Sequence, residues 1–228
     1  MHDEFFSAKI IMIHITEREA MQPYLRDASN LAGGSAAEIF IPQTTRELRE
    51  CVRELAAARR AFTVAGSGTG LAGGKVPFGE SLIVTDRLAY IRSFDADRRT
   101  LTAEPGVLLR DVQELVAGSG LLYPPDPTEV LCSLGGSVAT NASGARTFRY
   151  GPTRRYVQAL ELLLPDGEEL VLRRGENKAD GNQMSFEAVS GKRYEFSLPA
   201  ITMPPTKHAA GYYVKPGMDA IDLFIGSE

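Results

Sequence analysis

Five glycines fall within nine residues at Gly66-Ser67-Gly68-Thr69-Gly70-Leu71-Ala72-Gly73-Gly74, directly after Phe62-Thr63-Val64-Ala65, which reads as a β-strand. A stretch so rich in glycine is a poor helix or strand; it turns, and it lets other atoms come close to its backbone. Read from Gly68 it spells G-x-G-x-x-G, and Asp86 stands about 20 residues past Gly66, where a Rossmann unit carries its ribose-binding acid. That reading fails on what comes next. A Rossmann unit opens a helix at the loop, because the helix amides hold the pyrophosphate. Here Val76-Pro77-Phe78-Gly79 follows and the next strand opens at Leu82, which is too little chain for such a helix. A P-loop fails as well. Its first glycine would be Thr69, and Val76 after Lys75 has no hydroxyl for magnesium. Two readings remain: a nest of backbone amides for an anion, or a tight turn using glycine only for positive φ. The density of glycine favours the phosphate-binding loop.

Around the loop the pattern is α+β. Residues 1–35 read as an N-terminal extension, with one short helix between Thr16 and Arg26. Glu38 to Ile41 reads as a strand ended by Pro42. Thr44 or Thr45 then caps a helix on which Leu48, Val52, Leu55 and Ala56 recur at helical spacing. It ends near Arg59-Arg60, whose charges suit a helix C-terminus. With Phe62 to Ala65 this makes a βαβ unit. Leu82 to Thr85 is another strand. Ile91 to Phe94 and Thr100 to Ala103 flank a turn, and Val107 to Val116 reads as a helix stopped by Gly118-Ser119-Gly120. Clean periodicity is lost from Tyr123 to Gly151. Val157 to Leu164 and Glu169 to Leu172 form a hairpin around Asp166-Gly167. Arg173 to Gln183 reads as a polar loop, and the last segment carries Ile221, Phe224 and Ile225.

Composition narrows the function. The 228 residues suffice for a sizeable core, and a formal net charge of −4 argues against a nucleic-acid binder. Cys51 and Cys132 form no C-x-x-C pair, so they read as reduced thiols. His2, His14 and His208 have no metal-ligand spacing. Ile10-Ile11-Met12-Ile13 is too short for a signal peptide or a membrane span, and the expectation is a cytoplasmic protein.

A second constellation begins at Tyr123-Pro124-Pro125-Asp126-Pro127-Thr128, which its prolines make rigid and extended. Gly135-Gly136-Ser137-Val138-Ala139-Thr140-Asn141-Ala142-Ser143-Gly144-Ala145 follows, almost all small residues. Such a run reads either as a flexible linker or as backbone packed against a large flat ligand, with Thr140, Asn141 and Ser143 offering hydrogen bonds. A G-x-S-x-G nucleophile elbow is absent, because Gly135-Gly136-Ser137-Val138-Ala139 ends in alanine.

These motifs, with Tyr24-Leu25-Arg26-Asp27, Tyr150-Gly151-Pro152-Thr153-Arg154 and Lys207-His208-Ala209-Ala210-Gly211-Tyr212, occur in one order along nearly the whole chain. In that order the sequence resembles the flavoproteins of the p-cresol methylhydroxylase and vanillyl-alcohol oxidase class. Within it, the similarity is to the FAD-binding domain of glycolate oxidase D-subunits and D-lactate dehydrogenases. The resemblance implies two α+β subdomains, residues 36–105 with a small parallel sheet and residues 106–228 on an antiparallel sheet, with FAD between them. It implies that Gly66, Ser67, Gly68, Thr69, Gly70 and Leu71 hold the FAD pyrophosphate. It implies that Pro125, Asp126, Gly135, Gly136, Thr140, Asn141, Ala142, Gly144 and Ala145 lie beside the isoalloxazine and ribityl chain. Gly151 and Val157 complete the cofactor site, Val157 on the adenine side. Members with covalent FAD carry histidine where Thr69 stands, so non-covalent FAD is implied. No metal is expected.

The reaction implied is oxidation of a 2-hydroxy acid to a 2-oxo acid by hydride transfer to the flavin. The alternative is a non-catalytic FAD-binding or assembly module. In the family a substrate-binding cap follows the point at which this sequence stops, Ile225-Gly226-Ser227-Glu228. The chain alone is therefore expected to be inactive, to lack assignable catalytic residues, and to form a homodimer or join a partner subunit carrying the cap or electron acceptor. Arg146, Arg149 and Arg154 are the nearest cations for a carboxylate substrate; each is expected to be a surface or subunit contact instead.

Overall fold

The computed structural model describes residues 12–204 and 213–228. His2, His208 and the motif Lys207 to Tyr212 lie outside the described residues. The elements run β1 (Ile13–Ile15), α1 (Arg18–Met21), a 3₁₀ turn at Gln22–Tyr24, β2 (Ile39–Ile41), α2 (Thr45–Ala57), β3 (Phe62–Ala65) and β4 (Ser81–Val84). Then come β5 (Ile91–Asp95), β6 (Thr100–Ala103), α3 (Leu109–Ala117), α4 (Leu134–Ala139), α5 (Thr147–Tyr150) and a second 3₁₀ turn at Thr153–Tyr156. The chain closes with β7 (Ala159–Leu163), β8 (Glu169–Arg173), β9 (Gln183–Glu187), β10 (Arg193–Ser197) and α6 (Ile221–Phe224).

The first half is organised by the βαβ unit. Thr44 caps α2, its side chain accepting from the Glu47 N–H at 3.2 Å, while Glu47 accepts from the Gln43 N–H at 2.7 Å. Two otherwise orphaned amides are thereby satisfied. The buried face of α2, Cys51, Val52 and Leu55, packs on Ile83 of β4. Strand order is β1-β2-β4-β3; β2, β4 and β3 are parallel and β1 is antiparallel to β2. All of β4 is buried, as a central strand covered on both faces must be. The second face carries Met21, Leu25, Ile39, Ile41 and Ala65.

The second half is built on hairpins. β7 and β8 pair antiparallel around Asp166-Gly167, with Gly167 at φ +84. β9 and β10, which the sequence pattern did not single out, form another hairpin. These antiparallel ladders, with β5–β6 in the first half, stand beside the parallel sheet, giving the mixed α+β architecture expected. The hairpins β7–β8 and β9–β10 share one core, in which Leu170, Leu172, Met184 and Phe186 meet Met218, Ile221 and Ile225. The final turns of the chain are therefore core: Ile221 and Ile225 are fully buried.

Among the described residues no helix is long and apolar enough to cross a membrane. None of their His, Cys, Asp and Glu side chains cluster in threes to hold a metal ion.

Candidate functional site

β3 delivers the glycine loop at its C-terminal end, and the next strand opens at Ser81 without a helix between. Gly68 and Gly73 take left-handed backbone, φ +74 and +81, which non-glycine residues resist. Among the described residues, no backbone N–H from Gly66 through Gly74 donates a hydrogen bond to a protein acceptor. The loop is tied down by its acceptors instead: the Gly68 carbonyl takes the Ala28 N–H at 3.0 Å, and the Gly73 carbonyl takes that of Val76 at 3.0 Å. A run of donors without acceptors, on a loop with few side chains, is chemically an anion cradle. Ser67, Gly70 and Leu71 are exposed and Thr69 is half-buried.

The second glycine-rich segment meets the first. A Cβ on Gly66 would stand 2.5 Å from the Ser133 hydroxyl oxygen. Ser133 is the N-cap of α4, accepting from the Gly136 N–H at 3.2 Å. The run Gly135 to Ala145 is thus neither a linker nor one extended platform. Its first part is helix, and the serine cap outweighs the low helix propensity of Gly135 and Gly136. Packing explains these glycines: a Cβ on Gly135 would lie 2.5 Å from the Pro105 side chain, and one on Gly144 would fall on the Asp126 carbonyl oxygen. The Gly144 contact joins the run directly to the proline element, where Pro125 is buried and Asp126 pairs with Arg146 at 3.3 Å.

The remaining expected residues sit around the end of α4. Asn141 has left-handed backbone, φ +48, and its side-chain oxygen accepts from the Arg154 N–H at 2.9 Å. The Ala142 carbonyl accepts from the Thr153 N–H at 3.0 Å and hydroxyl at 2.8 Å. Thr140 is exposed, its hydroxyl bound to the Gly136 carbonyl at 2.9 Å, and Ala145 is exposed. Gly151 ends α5 at φ +83. Val157 lies further off, packed on the second core, its carbonyl accepting from Arg174 Nε at 2.9 Å. The end of the chain closes the site: the Gly226 and Glu228 N–H groups donate to the Val138 and Ala139 carbonyls at 3.0 and 3.2 Å. Glu228 also reaches the glycine loop, where a Cβ on Gly74 would lie 3.3 Å from its Oε1.

Arg154 corrects an expectation. It is no surface contact: it donates to the Asp222 and Ile225 carbonyls, pairs with the Asp222 carboxylate at 3.3 Å and stacks on Tyr213 with 4.6 Å to the ring centroid. Arg174 binds the same carboxylate at 3.0 Å. A buried aspartate needs its cations in contact, and that holds Arg154 inward. Arg149 is exposed over the Tyr150 ring. Burial pushes the Tyr123 phenol up to about 12, with Cys132 adding to the rise, so Tyr123 stays protonated beside Thr153.

Sequence reasoning missed Ser133. The serine was legible as a cap immediately before Leu134-Gly135-Gly136.

Residues 36–173 match the FAD binding domain family. The chain is 35% identical over 152 residues to a D-lactate dehydrogenase of Anaerostipes hadrus, 66% of this chain and 32% of that one. It is 36% identical to a D-2-hydroxyglutarate dehydrogenase of Xanthomonas citri pv. viticola, over 69% of this chain and 34% of that protein. It is 32% identical to the glycolate oxidase subunit GlcD of Bacillus subtilis, over 64% and 31%. The chain thus spans about a third of the length of these curated relatives. Among solved structures, an alkyldihydroxyacetonephosphate synthase shares the fold over 71% of this chain and 32% of its own, with a TM-score of 0.62 and 18% identity.

Proposed function

The chain belongs to the FAD binding domain family, and from that premise we propose that it holds the flavin of an oxidoreductase that oxidises a 2-hydroxy acid. FAD is the cofactor of the domain. The observation that carries the reading is the run of amides from Gly66 through Gly74 that have no protein acceptor among the described residues, set against Ser133 at the start of α4. FAD fits the residues present. Its pyrophosphate needs many donors and no side-chain bulk, which the loop supplies; a Cβ on Gly70 would meet nothing within 4 Å. The proline element and the segment Gly135 to Ala145 then flank the flavin. Thr69 has no ring nitrogen to bond the flavin, which supports non-covalent FAD.

Bound flavin supplies the hydride acceptor. What this chain contributes is position. The glycine-loop amides would hold the pyrophosphate at the middle of the cofactor, and α4, locked by Ser133, Pro105 and the Gly226 and Glu228 amides, would form a wall beside it. The substrate loses its α-hydrogen as hydride and its hydroxyl proton to a base, leaving a 2-oxo acid. None of the described residues is assigned as that base. The 2-hydroxy acid is proposed because lactate, 2-hydroxyglutarate and glycolate, the names carried by three relatives, share that chemistry. The relative named as a subunit supports assembly with a partner chain. Residues 36–105 and 106–228 are proposed as the two halves of the site, and the cytoplasm as the location.

Denaturing the purified protein and quantifying released FAD tests the cofactor; one flavin per chain is expected. Anaerobic mixing of the full-length protein with D-lactate, glycolate or D-2-hydroxyglutarate tests the reaction. Bleaching by at least one supports it, and a flavin that none of them reduces overturns the substrate class.

A further inference from the structure

Lys75 leaves the glycine loop and turns back across it. A Cβ placed on Gly68 would lie 2.8 Å from the Lys75 Nζ, 3.2 Å from its Cε and 3.4 Å from its Cδ. The end of the lysine therefore fills the space that a side chain at position 68 would need, and its ammonium sits within the arc of the loop. Among the described residues, the N–H groups of the loop it crosses donate to no protein acceptor. Among the described residues Lys75 makes no ion pair within 4.0 Å and no hydrogen bond. Burial lowers its pKa, and Asp27 and Asp86 pull it part of the way back from beyond contact distance.

Neither carboxylate pairs directly with it among the described residues. One oxygen of Asp27 is occupied by the Ser29 N–H at 3.0 Å and the Ser29 hydroxyl at 2.5 Å. The other, Oδ2, is buried without a partner among the described residues. A half-buried cation amid amide donors is unfavourable by itself, because all of these groups present positive charge to one space and burial has removed water from the lysine. An anion with several oxygens relieves both costs at once. Lysine suits that task as a point charge on a flexible stem, where arginine would impose a planar fork.

We propose that Lys75 recognises the FAD pyrophosphate from within the glycine loop, Gly68 being glycine partly to let the lysine pass. This rests on the FAD reading above. Gly68 thus has two duties, left-handed backbone and clearance for Lys75, and the loop holds its anion with a fixed charge as well as with amides. The competing account is that Lys75 only steadies the loop through the fields of Asp27 and Asp86.

Titration of the flavin-free chain with FAD, FMN and riboflavin, wild type against Lys75→Met, separates the two. Loss of one charge-assisted contact weakens FAD by about ten- to a hundredfold, while riboflavin, which has no phosphate, changes by less than about twofold. The salt dependence of FAD affinity also becomes shallower in the variant. Equal weakening of FAD and riboflavin, or unchanged FAD affinity, overturns the proposal. Acetylation footprinting of the wild-type chain serves if the variant does not fold. FAD protects Lys75 and riboflavin does not, with exposed Lys192 as the internal reference. Full acetylation of Lys75 under saturating FAD overturns it. A wild-type chain that binds no FAD defeats the cofactor reading itself, which is a different result from either.

Discussion

The two glycine-rich segments are both built almost entirely of small residues and have opposite hydrogen-bond accounts. From Gly66 through Gly74 no N–H has a protein acceptor among the described residues. From Leu134 on, the N–H groups of Leu134, Gly135, Ser137, Thr140, Asn141 and Ala142 donate to the backbone, and those of Gly136 and Gly144 to hydroxyls. The glycines differ in the same way. Gly68 and Gly73 have left-handed backbone and Gly70 faces open space, whereas Gly135 and Gly144 avoid that conformation and press on Pro105 and Asp126. One segment uses glycine to leave donors accessible; the other uses it to bring two backbones together. Composition cannot tell these apart, but the destination of each amide can.

The largest expected break is Gly144→Ala. Its Cβ would coincide with the Asp126 carbonyl oxygen, a backbone atom that cannot swing aside. Opening that junction should destabilise the protein by about 3 kcal/mol or more, read as a lowered urea midpoint or failure to accumulate as soluble protein. Unchanged stability would show that this second segment is not close-packed. Next is Gly68→Ala, where an alanine at φ +74 costs about 1–2 kcal/mol and also displaces Lys75. Here stability and FAD affinity should fall together. Ser133→Ala removes the cap of α4 and should cost about 1 kcal/mol. Flavin affinity should fall less than in Gly68→Ala, since the loop amides are untouched.

The first half of the molecule was legible in the sequence because its signals are local. The Thr44 cap, the apolar face of α2 and the short strands on either side mark a βαβ unit without reference to anything distant. The glycine loop was legible by exclusion, since Val76-Pro77 forbids a helix. The small-residue run was not, because α4 is a helix made of residues that disfavour helices, held by Ser133, Pro105 and the end of the chain. β9 and β10 escaped because their burial depends on partners far along the chain, Met218 and Ile221 among them. Arg154 looked like any surface arginine until Asp222, 68 residues away, came to face it. The loop glycines offer the sharpest test of which residues touch FAD.

Gly70→Ala is the smallest change of fold and the most selective probe of the comparison. A Cβ at this position meets nothing within 4 Å, and the backbone is not left-handed. Stability should therefore stay within about 0.5 kcal/mol of wild type. Yet if the loop amides converge on the pyrophosphate, the added methyl projects where the cofactor approaches and keeps it from the N–H groups. FAD affinity should then fall about tenfold with an unchanged melting temperature of the flavin-free chain. That dissociation of the two readouts is the mark of a binding loop, for a structural turn would lose neither. Full retention of FAD affinity in Gly70→Ala, alongside a loss in Gly68→Ala, would confine the anion site to the Lys75 end of the loop.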